Sequence, residues 1–153
     1  MKTKILSILI VLCCFGFENH TTVTLNAADD IVATWYNDTK TAKIRIFLAQ
    51  NDKYSGKIEW LKEPNDASGS PKKDPNNPDN KLQNRERLGM VILKYFDFNT
   101  KENKWENGTI YDPKNGKTYS GYITTEGSNK LNLRGYVAGM TWLGRTSTWE
   151  KAE

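Results

Sequence analysis

The side chains able to do acid–base or metal chemistry in this chain are mostly carboxylates. Four of them, Glu63, Asp66, Asp74 and Asp79, fall in one stretch rich in Pro, Asn, Asp and Lys. Such a group could supply a general acid and base, as in glycoside hydrolysis, or a set of calcium ligands. The spacing serves neither well. Glycoside hydrolysis needs two carboxyls at a set separation, and the stretch lacks the regular acidic ladder with a glycine pivot of an EF-hand. Acidic residues among Asn and Pro are ordinarily turn formers, so no catalytic residue and no metal ligand is assigned. Cysteine and histidine add nothing, because Cys13, Cys14 and His20, the complete set, all lie near the start of the chain.

That start reads as an export leader. Lys2 and Lys4 precede the apolar run 5–17, and a polar stretch ends at Ala27-Ala28-Asp29-Asp30. A basic start, a short apolar run and small residues at its end describe a secretory signal peptide. The run is shorter than the ~20 residues needed to span a bilayer. Leu12 precedes Cys13 and Cys13 precedes Cys14, whereas a lipid-modified cysteine needs a small residue before it, so lipidation is not expected. The expectation is a signal peptide over residues 1–27 and a single domain over 28–153, periplasmic or secreted and without a transmembrane segment. Loss of His and Cys with the leader excludes Ser-His-Asp and Cys-His catalysis, thiolate or imidazole zinc sites, haem held by His, and disulfides. No cofactor is expected. The formal net charge is only +4 and the basic residues are scattered, with Lys72-Lys73 the nearest to a cluster, so no nucleic-acid partner is expected.

The elements that would position a site are strands. Short alternating runs rich in Ile, Val, Thr, Tyr and Trp occupy 31–36, 42–49, 54–62, 88–98, 104–111, 118–124, 130–137 and 141–151. Turn residues separate them, including Asn51-Asp52-Lys53, Asp112-Pro113-Lys114-Asn115-Gly116 and Glu126-Gly127-Ser128-Asn129. This pattern predicts an all-β meander, and closure removes its edges, so the expected fold is an eight-stranded antiparallel up-and-down barrel. Alternation assigns faces. Ala42, Ile44, Ile46 and Leu48 share one side, and Tyr54, Gly56, Ile58 and Trp60 point inward. Tyr119, Gly121 and Ile123, then Leu131 and Leu133, then Arg145, Ser147 and Trp149 also share a side.

Residues 63–87, with Pro64, Pro71, Pro75 and Pro78, break this rhythm and form one long Pro/Asn-rich loop. The strand after it is apolar on both faces: Leu88, Met90, Ile92, Phe96 and Phe98 on one, Val91, Leu93 and Tyr95 on the other. Its outer side is expected to lie under the long loop, with a homodimer contact as the second choice.

Two resemblances follow. Ala33-Thr34-Trp35 with Arg145 resembles the lipocalin arrangement, in which a Gly-x-Trp tryptophan plugs one barrel end and an arginine of the final strand packs across the indole. Ala33 stands here where that motif has Gly. The resemblance implies barrel closure by Trp35 and Arg145, with the charge stacked on the ring. A wider set of motifs covers nearly the whole chain after the leader. It comprises Ile58-Glu59-Trp60-Leu61-Lys62-Glu63-Pro64-Asn65-Asp66, Asn76-Asn77-Pro78-Asp79, Gly108-Thr109-Ile110-Tyr111-Asp112-Pro113 with Gly116-Lys117-Thr118-Tyr119, Leu133-Arg134-Gly135-Tyr136 and Leu143-Gly144-Arg145-Thr146. The chain is thereby similar to the secreted bacterial family catalogued as domain of unknown function 2147. That resemblance implies a small lipocalin-like barrel outside the cytoplasm with no established activity.

The leading expectation is a binding module, not an enzyme: a calyx lined by aromatic residues that takes a small apolar or amphipathic ligand. All 5 Trp and 7 Tyr lie after the leader, and both types offer apolar area with a polar tip. The inward candidates are Tyr54, Ile58, Trp60, Tyr119 and Ile123. Arg134 and Tyr136 fall on the opposite face unless Gly135 marks a bulge that re-aims them. Trp60→Ala is accordingly expected to weaken ligand binding. The alternative is an envelope protein-interaction module with a side-chain-packed barrel, and a carboxylate-based hydrolase is the third reading.

Overall fold

The computed structural model describes residues 27–153. The leader expected over residues 1–27 therefore lies outside the described residues, except for Ala27. Eight antiparallel strands follow one another around a closed barrel: β1 (Thr34–Tyr36), β2 (Ala42–Leu48), β3 (Tyr54–Leu61), β4 (Val91–Asn99), β5 (Lys104–Asp112), β6 (Lys117–Glu126), β7 (Lys130–Val137) and β8 (Met140–Lys151). Each strand pairs with its successor, and β8 returns to β1 through Trp35↔Lys151 and Tyr36↔Glu150. No edge is left open, as the alternation of the sequence predicts.

The barrel has a sealed base and an open mouth. At the base, a short 3-10 turn (Ala27–Asp29) plugs the opening. The Trp35 indole donates to the carbonyl of Ile31 (2.9 Å), the Trp105 indole to that of Ala28 (2.9 Å), and the Tyr54 hydroxyl to Asp29 (3.0 Å). Two buried indoles thus keep their N–H groups satisfied while their rings fill the interior. Ile31, Ile46, Leu93, Phe96, Ile123 and Leu131 complete this lower core.

Glycines let large side chains lie flat across the barrel. A Cβ on Gly108 would stand 2.3 Å from the Phe96 ring, and one on Gly121 would stand 2.5 Å from Cδ1 of Ile110. Gly108 pairs with Gly121, which pairs with Gly135, so three neighbouring strands give up side-chain volume along one row.

Bulges change which face some residues take. Ile44 pairs with Ile58 but Lys43 with Trp60, so Glu59 is an extra residue on β3. Beyond it the alternation reverses: Trp60 turns outward and Leu61 inward. On β4, Ile92 is extra between Val91 and Leu93, and a second shift lies between Leu93 and Phe96, where Tyr95 has φ +67. Ile92, Leu93, Phe96 and Phe98 consequently all pack with the core, while Lys94 and Tyr95 face out. The expected second apolar face of this strand is reduced to Val91 and Tyr95, because the bulge at Ile92 turns Leu93 into the core. Leu88 precedes the strand and is exposed.

The long loop also goes elsewhere than expected. Rather than covering β4, residues 63–87 pack against the β5–β6 turn at the mouth. Asn76 donates to the carbonyl of Lys114 (2.8 Å) and Arg87 to that of Pro113 (3.1 Å). Gly116, at φ +71, admits this approach: a Cβ there would stand 1.8 Å from the Asn76 carbonyl oxygen. Outward positions on the barrel carry Lys43, Arg45, Lys57, Glu59 and Lys94. No helix among the described residues is long and apolar enough to cross a membrane.

Candidate functional site

Above the packed base the barrel opens into a cavity of about 590 Å³. That lies within the roughly 300–1,000 Å³ of small-molecule sites. Its walls are inward residues of six strands: Ile44, Ile58, Ile92, Ile110, Leu133 and Trp149. Ala42, Gly135 and Ser147 also border it, and their small side chains leave the upper half unfilled. The Trp149 indole donates to Ser147 (2.9 Å), which satisfies its N–H at the wall.

The rim is polar and comes from connections rather than strands. Asn37, Asp38 and Thr39 of the β1–β2 turn, Arg87 at the end of the long loop, and Lys114 and Asn115 of the β5–β6 turn surround the opening with Arg145 of β8. Arg145 reaches Asp38 (3.3 Å) with a side chain that is 83% exposed. Arg87 is half-buried and held by two carbonyls, donating Nε to Lys73 (2.7 Å) and Nη2 to Pro113 (3.1 Å).

A buried carboxylate holds the loop in place. Asp74, fully buried, accepts from Asn77 (2.7 Å), from the Tyr111 hydroxyl (2.7 Å) and from Nη2 of Arg85 (3.1 Å). Tyr111 stands on β5 and borders the cavity, so this cluster ties the loop to the barrel at the mouth. Burial, and then the neighbouring Asp74, push the Tyr111 hydroxyl up to about 12. The other loop carboxylates serve local structure. Asp66 accepts from Ser68 and Ser70 within its own turn, and the Ser68 hydroxyl foremost holds it below the usual carboxylate range. Asp79 caps the 3-10 turn Asn80–Leu82, and Glu63 pairs with Lys72 (3.1 Å). Among the described residues no three acidic side chains gather as a metal-binding group.

The candidates named from sequence divide into three sets. Ile58 and Tyr119 line the cavity, and the Tyr119 hydroxyl accepts from Asn115 (3.1 Å). Tyr136 borders it too, although its ring lies against Tyr122 (6.4 Å between centroids). Tyr54 and Ile123 point inward but belong to the packed base, where Tyr54 meets the Trp105 ring edge-on. Trp60 and Arg134 face outward. The bulge at Glu59 places the Trp60 ring against Tyr36 (6.2 Å), with the Lys43 ammonium over both rings. Register is continuous through Gly135, so Arg134 stays outside and donates to Thr146 and to the carbonyl of Thr141.

The expected closure pair is also replaced. Trp35 is fully buried at the base, but Arg145 stands at the mouth. The cation near the indole is Lys151, its Nζ 5.9 Å from the ring centroid.

Residues that sequence reading left out of the site include Leu61, Arg87, Ile92 and Ile110. Ile110 has an inward position by two-residue spacing from Gly108, whereas Arg87 carries no local signal. A further feature stands beside the opening. Tyr136 pairs with Gly144 but Val137 with Met140, so residues 141–143 have no partner on β7. Trp142 projects from this bulge, 76% exposed, with Leu143 beside it.

Residues 33–151 match the model of a family described as an uncharacterized protein conserved in bacteria (DUF2147). A solved structure, protein HP1028 from the human pathogen Helicobacter pylori, described as belonging to the lipocalin family, is similar in fold. The TM-score is 0.66 at 23% identity, over 80% of this chain and 83% of that one. No curated protein matches the sequence.

Proposed function

From the premise that this chain belongs to the DUF2147 family of bacterial proteins, we propose that it is an exported binding protein that holds a small apolar or amphipathic molecule in the upper half of its lipocalin-like barrel. The observation that carries this reading is the division of the interior. The base is filled by Trp35, Phe96 and Trp105, while the upper half keeps about 590 Å³ between apolar walls and a polar rim. Eight strands are wide enough either for a side-chain core or for one small ligand, and here the lower half has the first while the upper half leaves room for the second. Residues 1–27 act as the export leader in this reading, which rests on their basic and apolar pattern.

The test is native mass spectrometry of the protein purified from its own cell envelope, with denaturing extraction of what leaves with it, followed by calorimetric titration with dodecanol. A reproducible bound small molecule and saturable dodecanol binding are expected. A clean apo mass together with no dodecanol binding would remove the reading.

A second reading, a protein-contact module of the envelope, draws on Trp142 and Leu143, which project beside the mouth. Its packed-barrel form is disfavoured by the open upper half.

A further inference from the structure

The chemical class of the ligand is written on the rim. We infer that the cavity takes an amphipathic anion, with its apolar body against Ile58, Ile92 and Ile110 and its carboxylate or phosphate head on the guanidinium of Arg87. This inference rests on the binding reading above and deepens it.

Arg87 is a cation at the opening without a carboxylate partner. Two of its five N–H donors go to the carbonyls of Lys73 and Pro113, which fix the plane of the group without cancelling its charge. Among the described residues no carboxylate lies within ion-pair distance of it. A half-buried guanidinium beside an apolar wall is poorly solvated, and the field of its charge is stronger there than in water. The remaining donors suit a carboxylate or phosphate, whose hydrogen bonds to a charged donor are the strong kind.

The neighbouring charges favour the same sign of ligand. Asp38 is engaged with Arg145 (3.3 Å); the Asp112 carboxylate also borders the cavity and keeps its charge, so Arg87, Lys114 and Arg145 outnumber Asp38 and Asp112 at the opening. Lys114 borders the cavity and forms no ion pair among the described residues. It directly follows Pro113, whose carbonyl orients Arg87, so two cations without carboxylate partners share one side of the opening.

The experiment compares dodecanoate, dodecyl phosphate, dodecanol and dodecyltrimethylammonium by calorimetric titration of the leader-free protein at one ionic strength. At least one anion is expected to bind about tenfold or more tightly than dodecanol, a ratio that falls as salt is added. The difference between the two anions tells a carboxylate head from a phosphate one. Arg87→Gln is expected to bring the ratio of anion to alcohol affinity close to one, and Arg87→Lys to keep part of it. Because Arg87 also joins the loop to the β5–β6 turn, Lys114→Gln serves as an independent variant, expected to lower the ratio by severalfold. Equal affinities for anions and alcohol in the native protein would overturn the inference and leave the binding reading standing, as would tightest binding of the cation. A ratio unchanged in both Arg87→Gln and Lys114→Gln would overturn it too. Failure of all four probes would overturn this inference, and together with a clean apo mass would remove the binding reading itself.

Discussion

Trp35 and Lys151 face each other across the seam where β1 meets β8, with the ammonium 5.9 Å from the centre of a fully buried indole. The seam holds only two cross-strand pairs. With the Ala152 amide donating to the Thr34 carbonyl (2.8 Å), this short stretch of pairing closes the barrel together with packing of the indole.

The two residues should differ sharply in cost. Trp35→Ala is expected to lose roughly 3–5 kcal/mol by emptying the base. Lys151→Ala removes a partly hydrated cation–π contact and is expected to lose about 0.5–1 kcal/mol. Urea denaturation of both variants checks this, and equal losses would contradict the roles assigned.

Gly108 should resist any side chain. A Cβ there meets the Phe96 ring at 2.3 Å, so Gly108→Ala is expected to cost about 1–3 kcal/mol by overpacking. The cost should shrink when Phe96→Leu is made in the same protein, because the two changes share one space. A double-mutant cycle in urea reads the coupling, and strict additivity would count against the close contact.

Trp60 and its neighbour Leu61 should exchange the roles that simple alternation assigns them. The Trp60 ring packs on Tyr36 outside the barrel, so Trp60→Ala is expected to leave dodecanol affinity within about twofold. Leu61→Trp places bulk in the cavity and is expected to lower that affinity by roughly tenfold or more. The reverse ranking in calorimetry would mean that Trp60 faces the ligand.

Alkaline stability should depend on Tyr54 and Tyr111. Burial first, and then a neighbouring carboxylate, raise each hydroxyl from 10.0 to about 12. The folded state thus holds these protons more tightly than the unfolded chain. Their contribution is fully present below pH 10 and is lost as the pH rises to about 12. Melting temperature measured across that window should fall, and Tyr54→Phe should flatten part of the decline. A decline of unchanged steepness in Tyr54→Phe would show that Tyr54 is not its source.

Asp74→Asn should loosen the loop before it unfolds the barrel. The substitution keeps hydrogen-bonding capacity toward Tyr111 and Asn77 but leaves Arg85 without its carboxylate. A loss of roughly 1–3 kcal/mol is expected, felt mainly as faster hydrogen exchange within residues 63–87. Unchanged exchange there would show that the loop is held by something other than this carboxylate.

The barrel was largely legible because alternation is a local signal. All eight strands fall within three residues of the boundaries read from sequence, and of the shared face Ala42, Ile44, Ile46 and Leu48 the first three are buried while Leu48, at the strand end, is exposed. What failed was parity after an insertion. Glu59 and Ile92 each add one residue to a strand, and nothing in the residue types around them announces it. Trp60 was misplaced for that reason, and Leu93 with it. The rim failed differently. Arg87 meets Lys73 and Pro113, and Asp74 meets Tyr111, across separations that no local pattern encodes. Lys151 displaced Arg145 at the indole because register across the seam, not the type of cation, decides which residue stands there.

The plug at the base has a consequence for the order of assembly. The Trp105 indole finds its acceptor 77 residues earlier in the chain, and the seam joins Trp35 to Lys151 near the other end. Contacts so far apart in sequence close late, because the entropy of the intervening chain must be given up first. The strands β1 to β3 and β4 to β8 can zip with local turns, β3 must meet β4 across the long loop, and the seam must wait until the first strand meets the last. Until then Trp35 and Trp105 lie open to solvent, and the half-formed sheet carries two free edges on which another copy could pair.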